Sequence, residues 1–278
     1  MQVELSGSVC GARITGVDLA GELSPELVSE IRSLWLEHKV VAFADQRMDD
    51  DALERFTLAM GGFGEDPFFA PIEGREHIAA ILREADESTP LFAENWHSDW
   101  SFLPHPPAGT CLMAIDIPPT GGDTLFSDQV AAFAALPDER KNYLRSLTAV
   151  HSAQLAYAPE GAYGEKDEGR SMAIRPDESA RATQTHTLIQ LHPETGEEAI
   201  FSTMGYIIGI EGMEQADAFA LLSELAAWQS RDEFVYRLRW EPGMVVMWDN
   251  RSVLHKATGG YEGHRRELHR TTIAAWVG

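Results

Sequence analysis

Cysteine and positive charge are what this 278-residue chain has least of. Its only two cysteines, Cys10 and Cys111, lie far apart. That argues against a disulfide scaffold or a cysteine-rich zinc site and predicts a reduced, cytoplasmic setting. Lys and Arg number 22 against 44 Asp and Glu, a formal charge of −22. Nucleic-acid binding needs cations to neutralise phosphates, so the composition argues against it. No apolar run reaches the roughly 18 residues of a membrane span. The start, MQVELSGSVCGARITGVDL, lacks the basic stretch and apolar core of a signal peptide. Internal repeats, low-complexity linkers and charged tails are missing too. An acidic protein that binds a small anion must gather its positive charge locally, so the position of each arginine carries information.

What is present reads as many strands joined by turns, with helices early and in insertions. In LSPELVSEIRSLWLEH (23–38), Ser24 is a candidate N-cap, Pro25 takes the first helical position, and Leu27, Ile31, Leu34 and Trp35 form an apolar stripe. VVAF follows as a short buried strand, and MDDDALERFTLAM as a second amphipathic helix ending at Gly61-Gly62. Strands are predicted over 77–82, 95–102, 109–117 and 123–128, with PPTGG (118–122) as the turn between the last two. Two short helices are expected in 128–146, the second following Pro137. Strands resume with HTLIQL and EEAIF, a helix is expected over 213–229, and strands close the chain over 234–240, 244–250 and 268–276. Residues 153–184 hold no sustained period, and a loop of that length in a compact domain is usually functional. They are the candidate lid, with Tyr157 and Tyr163 as candidate pocket walls. This pattern predicts a mainly β sandwich or barrel core with helical additions rather than a parallel α/β sheet.

The chemistry concentrates in four places. NWHSDWSF (95–102) sets His97 and Asp99 two apart, on one face if the stretch is extended, with Trp100 on the other. VVMWDNRSVLHKA carries His255 just past an apolar strand, GGDTLF carries Thr124 at a strand start, and GHRRELHRTTIA carries Arg266 and Arg270. Burying an imidazole and a carboxylate without partners costs several kcal/mol, so they either bond to each other or share a cation. Two histidines and one carboxylate are the ligand set that holds non-haem Fe(II) and leaves positions open. Each residue also has a plainer reading: a structural His–Asp pair, a partly exposed histidine, a solvated basic face, a β-branched strand residue. Their combination, in this order, favours the metal site.

NWHSD, GGDT, FVYRLRW, MVVMWDNRSVLH and RRELHRTT resemble, in order and spacing, the signature blocks of the taurine dioxygenase / 2,4-dichlorophenoxyacetate dioxygenase family. The resemblance covers nearly the whole chain and is weakest over 64–92 and 153–184. It implies a single dioxygenase domain over 1–278 with a double-stranded β-helix (jelly-roll) core, using Fe(II), 2-oxoglutarate and O₂. His97, Asp99 and His255 would be the iron ligands. Arg266 with Thr124 would hold the distal carboxylate of 2-oxoglutarate. Arg270, with Trp100 beside it, would take the acidic group of the substrate. A homo-oligomer is compatible with the resemblance. On an extended strand Arg266 and Arg270 share a face unless a bulge intervenes, and Arg265 faces away.

The implied reaction converts 2-oxoglutarate to succinate and CO₂ while hydroxylating, and sometimes thereby cleaving, a small anionic organic substrate such as a carboxylate, sulfonate or sulfate ester. Taurine fits poorly, because EDPFFAPIEG offers Phe68 and Phe69 instead of a histidine, and Ala93 stands where an asparagine is expected. The alternatives are a non-catalytic metal-binding or sensor protein, which should have lost a ligand or Arg266, and a protein-modifying oxygenase. A zinc hydrolase lacks its H-E-x-x-H helix here.

Overall fold

The computed structural model describes residues 1–275. The chain opens with β1 (Gln2–Leu5) and β2 (Ala12–Thr15). Then α1 (Pro25–His38) begins where Ser24 Oγ accepts the Leu27 amide and Pro25 needs no partner for a missing N–H. β3 (Val40–Phe43) leads to α2 (Asp50–Met60), capped by Asp49 and stopped by Gly61 at φ 146°. β4 (Ala79–Arg83), β5 (Gly109–Asp116) and β6 (Thr124–Asp128) follow, then α3 (Gln129–Ala134) and, after Pro137, α4 (Asp138–Arg145). β7 (Thr148–Ser152) precedes the 153–184 segment, which holds one turn of helix, α5 (Gln154–Tyr157), and a 3-10 turn (Glu178–Arg181). β8 (Thr183–Thr187), β9 (Ile189–Leu191), β10 (Glu198–Ile200) and β11 (Ile207–Ile210) lead to α6 (Gln215–Gln229). β12 (Val235–Leu238), β13 (Val245–Asp249), β14 (Val253–Ala257) and β15 (Arg266–Ile273) complete the order.

Seven strands form the main sheet in the order β1-β2-β3-β13-β5-β15-β4, antiparallel except for β2 beside β3. A three-stranded sheet, β12-β6-β14, faces it. Strand alternation explains why VVAF and MVVMW read as unbroken apolar runs. Val40 and Ala42, with Val246 and Trp248, point into the space between the sheets, where they meet Phe126, Leu238 and Leu268. Val41 and Phe43, with Val245 and Met247, point the other way, onto Trp35 of α1 and Phe56 of α2. A strand buried on both faces has no polar side to alternate with. A second three-stranded sheet, β11-β7-β8, packs with α3 and α6 around Leu188, Ile207, Leu222 and Phe234.

Several boundaries differ from the sequence reading. β1, β2, β7, β11 and β14, the strand that carries His255, were not expected; β1 and β2 are short, and β1 is exposed along its length. HTLIQL is two strands broken at Leu188, which pair with different neighbours. Trp276, the end of the expected last strand, lies outside the described residues. The main correction concerns 95–102, which is not a strand. His97 makes a single bridge to His255, in which each backbone amide donates to the other's carbonyl at 3.1 and 2.8 Å. The chain then turns, with Trp100 at φ 51° and the Leu103 amide on the Trp100 carbonyl.

Candidate functional site

That turn, rather than strand periodicity, brings His97 and Asp99 together. His255 arrives from the middle of its own strand, β14, opposite Phe126. His97 Nε2 stands 3.7 Å and His255 Nε2 3.8 Å from the same oxygen, Asp99 Oδ1. One ligand atom from each residue lies within 4.8 Å of the others. These separations are too long for hydrogen bonds and suit three groups facing a common ion. His97 Nδ1 is 2.9 Å from the Asn95 carbonyl, which holds the proton there and turns the Nε2 lone pair inward. Thr110 donates to Asp99 Oδ2 at 2.5 Å, leaving Oδ1 for the centre.

The electrostatics match. Burial pushes the His255 imidazole down to about 3, helped by the neighbouring His97. Burial also lowers His97, against the opposing pull of Asp99. Burial would raise Asp99, but Arg270, His255, His97 and the Thr110 hydroxyl outweigh it and hold the carboxyl well below its usual range. At neutral pH the trio is two neutral imidazoles and a carboxylate, the protonation state a divalent cation requires.

The cavity beside this trio is lined by His97, Asp99, His255, Thr124, Arg266 and Arg270, together with Phe69, Leu112, Tyr157, Trp248 and Tyr261. Both arginines project into it from β15. The irregularity in the pairing of β15 with β5 skips Ile115 on β5, so the alternation of β15 itself is undisturbed. Arg265 faces Glu84, Asp116 and Glu267 at the surface, as expected.

The two inward arginines differ. Arg266 is 6% exposed, donates to the Gly122 carbonyl at 3.0 Å, and has no carboxylate partner among the described residues. Its Nε is buried without a hydrogen bond. Trp240 and Tyr261 flank the guanidinium, and Trp240 Nε1 donates to the Thr124 hydroxyl at 3.0 Å. A buried cation without a counter-ion is costly, so this end of the cavity is built for an anion. The Gly122 position strongly favours glycine. Its φ is 68°, and a Cβ would stand 2.9 Å from Arg266 Nε. Arg270 lies against the rings of Phe69 and Trp100, donates to Asp66 and stands 3.2 Å from Asp99 Oδ2. Burial pushes the Asp66 carboxyl up to about 6 although Arg270 opposes it.

Trp100 was expected to meet the substrate. The structure sets it behind Arg270, 1% exposed and outside the cavity lining, because the turn at φ 51° folds its ring into a cluster with Phe68, Phe69 and Tyr157. Tyr157 does line the cavity, and Tyr163 lines an adjoining apolar channel with Leu155, Met204 and Tyr206. The 153–184 segment is docked over both. Arg170 donates to Asp167 and to the Pro90 carbonyl, Glu87 accepts from the Ser171 amide, and the Arg175 amide bonds to the Phe68 carbonyl. The sequence reading missed Asp66, Glu87, Arg170 and the close approach of Gly122. Only the Gly-Gly pair gave a signal, and it was read as a turn.

The profile of the family described as "Taurine catabolism dioxygenase TauD, TfdA family" matches residues 3–272, and the chain belongs to that family. It is an oxidoreductase, a 2-oxoglutarate-dependent dioxygenase. An alkylsulfatase of Acinetobacter baylyi is 31% identical over 99% of this chain and 84% of its own length. An alpha-ketoglutarate-dependent 2,4-dichlorophenoxyacetate dioxygenase of Cupriavidus pinatubonensis is 33% identical over 94% and 93%. The crystal structure of AAD-2 with Mn(II) and N-oxalylglycine superposes with a TM-score of 0.81 at 26% identity, covering 99% of this chain and 97% of that one.

Proposed function

We propose that the protein uses Fe(II), 2-oxoglutarate and O₂ to hydroxylate a small anionic organic substrate, with release of succinate and CO₂. The observation that carries this reading is the unpaired, buried Arg266 in the same cavity as the His97–Asp99–His255 trio. His97, Asp99 and His255 would hold the iron, a donor set that suits Fe(II) and leaves room for other ligands. When bound, the metal supplies chelation of the keto acid and activation of O₂. Arg266 and Thr124 bind the distal carboxylate of 2-oxoglutarate. N-oxalylglycine, found in the AAD-2 complex, carries the same two acid ends, which supports the fit.

Arg270 receives the acidic group of the substrate, and Trp100 supports that guanidinium from behind. The channel past Leu155 and Tyr163 takes the apolar body. Residues 153–184 act as a lid that keeps water out. The names of the relatives, which act on alkyl sulfates and aryloxyacetates, support a sulfate ester, sulfonate or carboxylate with an apolar body. A double-stranded β-helix is the core this reading implies, and two buried free thiols fit a cytoplasmic setting.

The test is succinate formation with Fe(II), 2-oxoglutarate and O₂ across alkyl sulfates, sulfonates and aryloxy- and alkyl-carboxylates, each beside a neutral analogue. Stimulation by one class, lost in Asp99→Ala, is the expected outcome. Full iron-dependent turnover in Asp99→Ala would overturn the ligand assignment.

A further inference from the structure

Arg266 and Arg270 leave the same strand on the same face, four residues apart, and both reach the cavity. Their charge balance is opposite. Among the described residues Arg266 forms no ion pair with a carboxylate, whereas Arg270 has two carboxylate partners, Asp66 and Asp99. Asp99 faces the candidate metal as well, so in the loaded site its charge is shared with the ion. Asp66 is then the counter-ion that remains with Arg270.

Asp66 is held in place by its neighbours. The Gly64 amide bonds to the Thr272 carbonyl at 3.0 Å, tying the loop to β15, and the Phe68 carbonyl accepts from the Arg175 amide at 2.8 Å. Asp66 Oδ1 is buried without a hydrogen bond, and so is Arg270 Nη2. Asp66 does not line the cavity, while Arg270 does. The carboxylate therefore leaves the seat open and acts through the guanidinium.

We propose that Asp66 determines head-group specificity: it neutralises Arg270 inside the protein, so that Arg270 meets the substrate as a hydrogen-bond donor more than as a net positive charge. This rests on the reading of Arg270 as the substrate's seat. The physical reason is that a buried ion pair has already spent its Coulomb attraction, and a second anion placed on the same guanidinium meets the first one's repulsion. The seat then prefers an acid head group over its neutral isostere only weakly, in contrast to the 2-oxoglutarate end, where Arg266 makes no ion pair among the described residues.

The experiment compares wild type with Asp66→Asn, which keeps the shape and removes the charge. Affinities are measured by calorimetry in the Mn(II)–2-oxoglutarate complex for phenoxyacetate against phenoxyacetamide and for hexyl sulfate against hexanol. In the variant the anion-to-neutral affinity ratio should rise on the order of tenfold, through tighter anion binding. A ratio that is unchanged, or that falls, overturns the proposal. A purely structural role for Asp66 would weaken both members of a pair alike and leave the ratio where it was, so it counts against the proposal too. Binding of 2-oxoglutarate itself, measured in the same samples, separates the two levels. If it is retained and neither anion binds wild type, the assignment of Arg270 as substrate seat fails. If the anions bind and only the ratio refuses to move, the role of Asp66 alone fails.

Discussion

A single residue's neighbours decide its role at this site, as the two arginines show. Arg266 without a counter-ion and Arg270 with two cannot respond alike to truncation. Arg266→Ala should raise the KM for 2-oxoglutarate at least tenfold with a smaller change for substrate, and Arg270→Ala should do the reverse; charge-assisted bonds of this kind are worth about 1.5–3 kcal/mol. Steady-state kinetics with each reactant varied in turn checks this, and an exchange of the two effects would reverse the assignments. Gly122 offers a subtler case. Gly122→Ala meets both a left-handed backbone, costing about 1–3 kcal/mol, and the Arg266 side chain. The expected result is weaker 2-oxoglutarate binding together with a lower melting temperature. A variant with wild-type KM would show that Arg266 can shift freely.

Between residue and fold stand the segments that assemble the site. Alternation along β15 correctly places Arg266 and Arg270 on one face, because its bulge falls on the neighbouring strand. The same logic applied to 95–102 reaches the right conclusion by the wrong route. His97 and Asp99 converge through a turn whose cause, the bridge to His255, is 158 residues away in sequence. The 153–184 segment is secured by a buried cluster in which Glu87 joins the Ser171 amide, Arg83 and Arg170. Glu87→Ala would remove the anchor and leave two guanidinium groups short of a partner. Limited proteolysis should then cut within 153–184 several times faster than in wild type, while Arg266-dependent binding of 2-oxoglutarate persists. Unchanged proteolysis would mean that the backbone bonds of Ala70 and Arg175 hold the segment unaided.

At the scale of the whole molecule, buried histidines contribute to how stability responds to acid. His151 is fully buried, with Nδ1 3.0 Å from the Ser101 hydroxyl, and burial pushes its imidazole down to about 3 from 6.5. The unfolded chain therefore binds the proton first. Stability contributed by the neutral ring is full above pH 6.5 and falls as pH drops toward 3, by about 1.4 kcal/mol per pH unit. Chemical denaturation from pH 7 to pH 4.5 should show a steep loss in wild type and a shallower one in His151→Asn. Parallel slopes would remove His151 from the account.

The sequence by itself marked His97, Asp99, His255 and Arg266 as candidates and determined the mainly β class. These rest on local residue types and on periods of two and 3.6, which a chain carries before it folds. It also determined most helix boundaries, since Ser24, Pro25, Pro137 and Gly61 act within one turn of where they stand. Only the tertiary structure decided that Trp100 lies behind Arg270 and that Glu87 fastens the 153–184 segment. It alone set Asp66 against Arg270, 204 positions apart. Those outcomes depend on which surfaces meet and on what is left to neutralise a buried charge, and no local pattern encodes a counter-ion contributed from the far end of the chain.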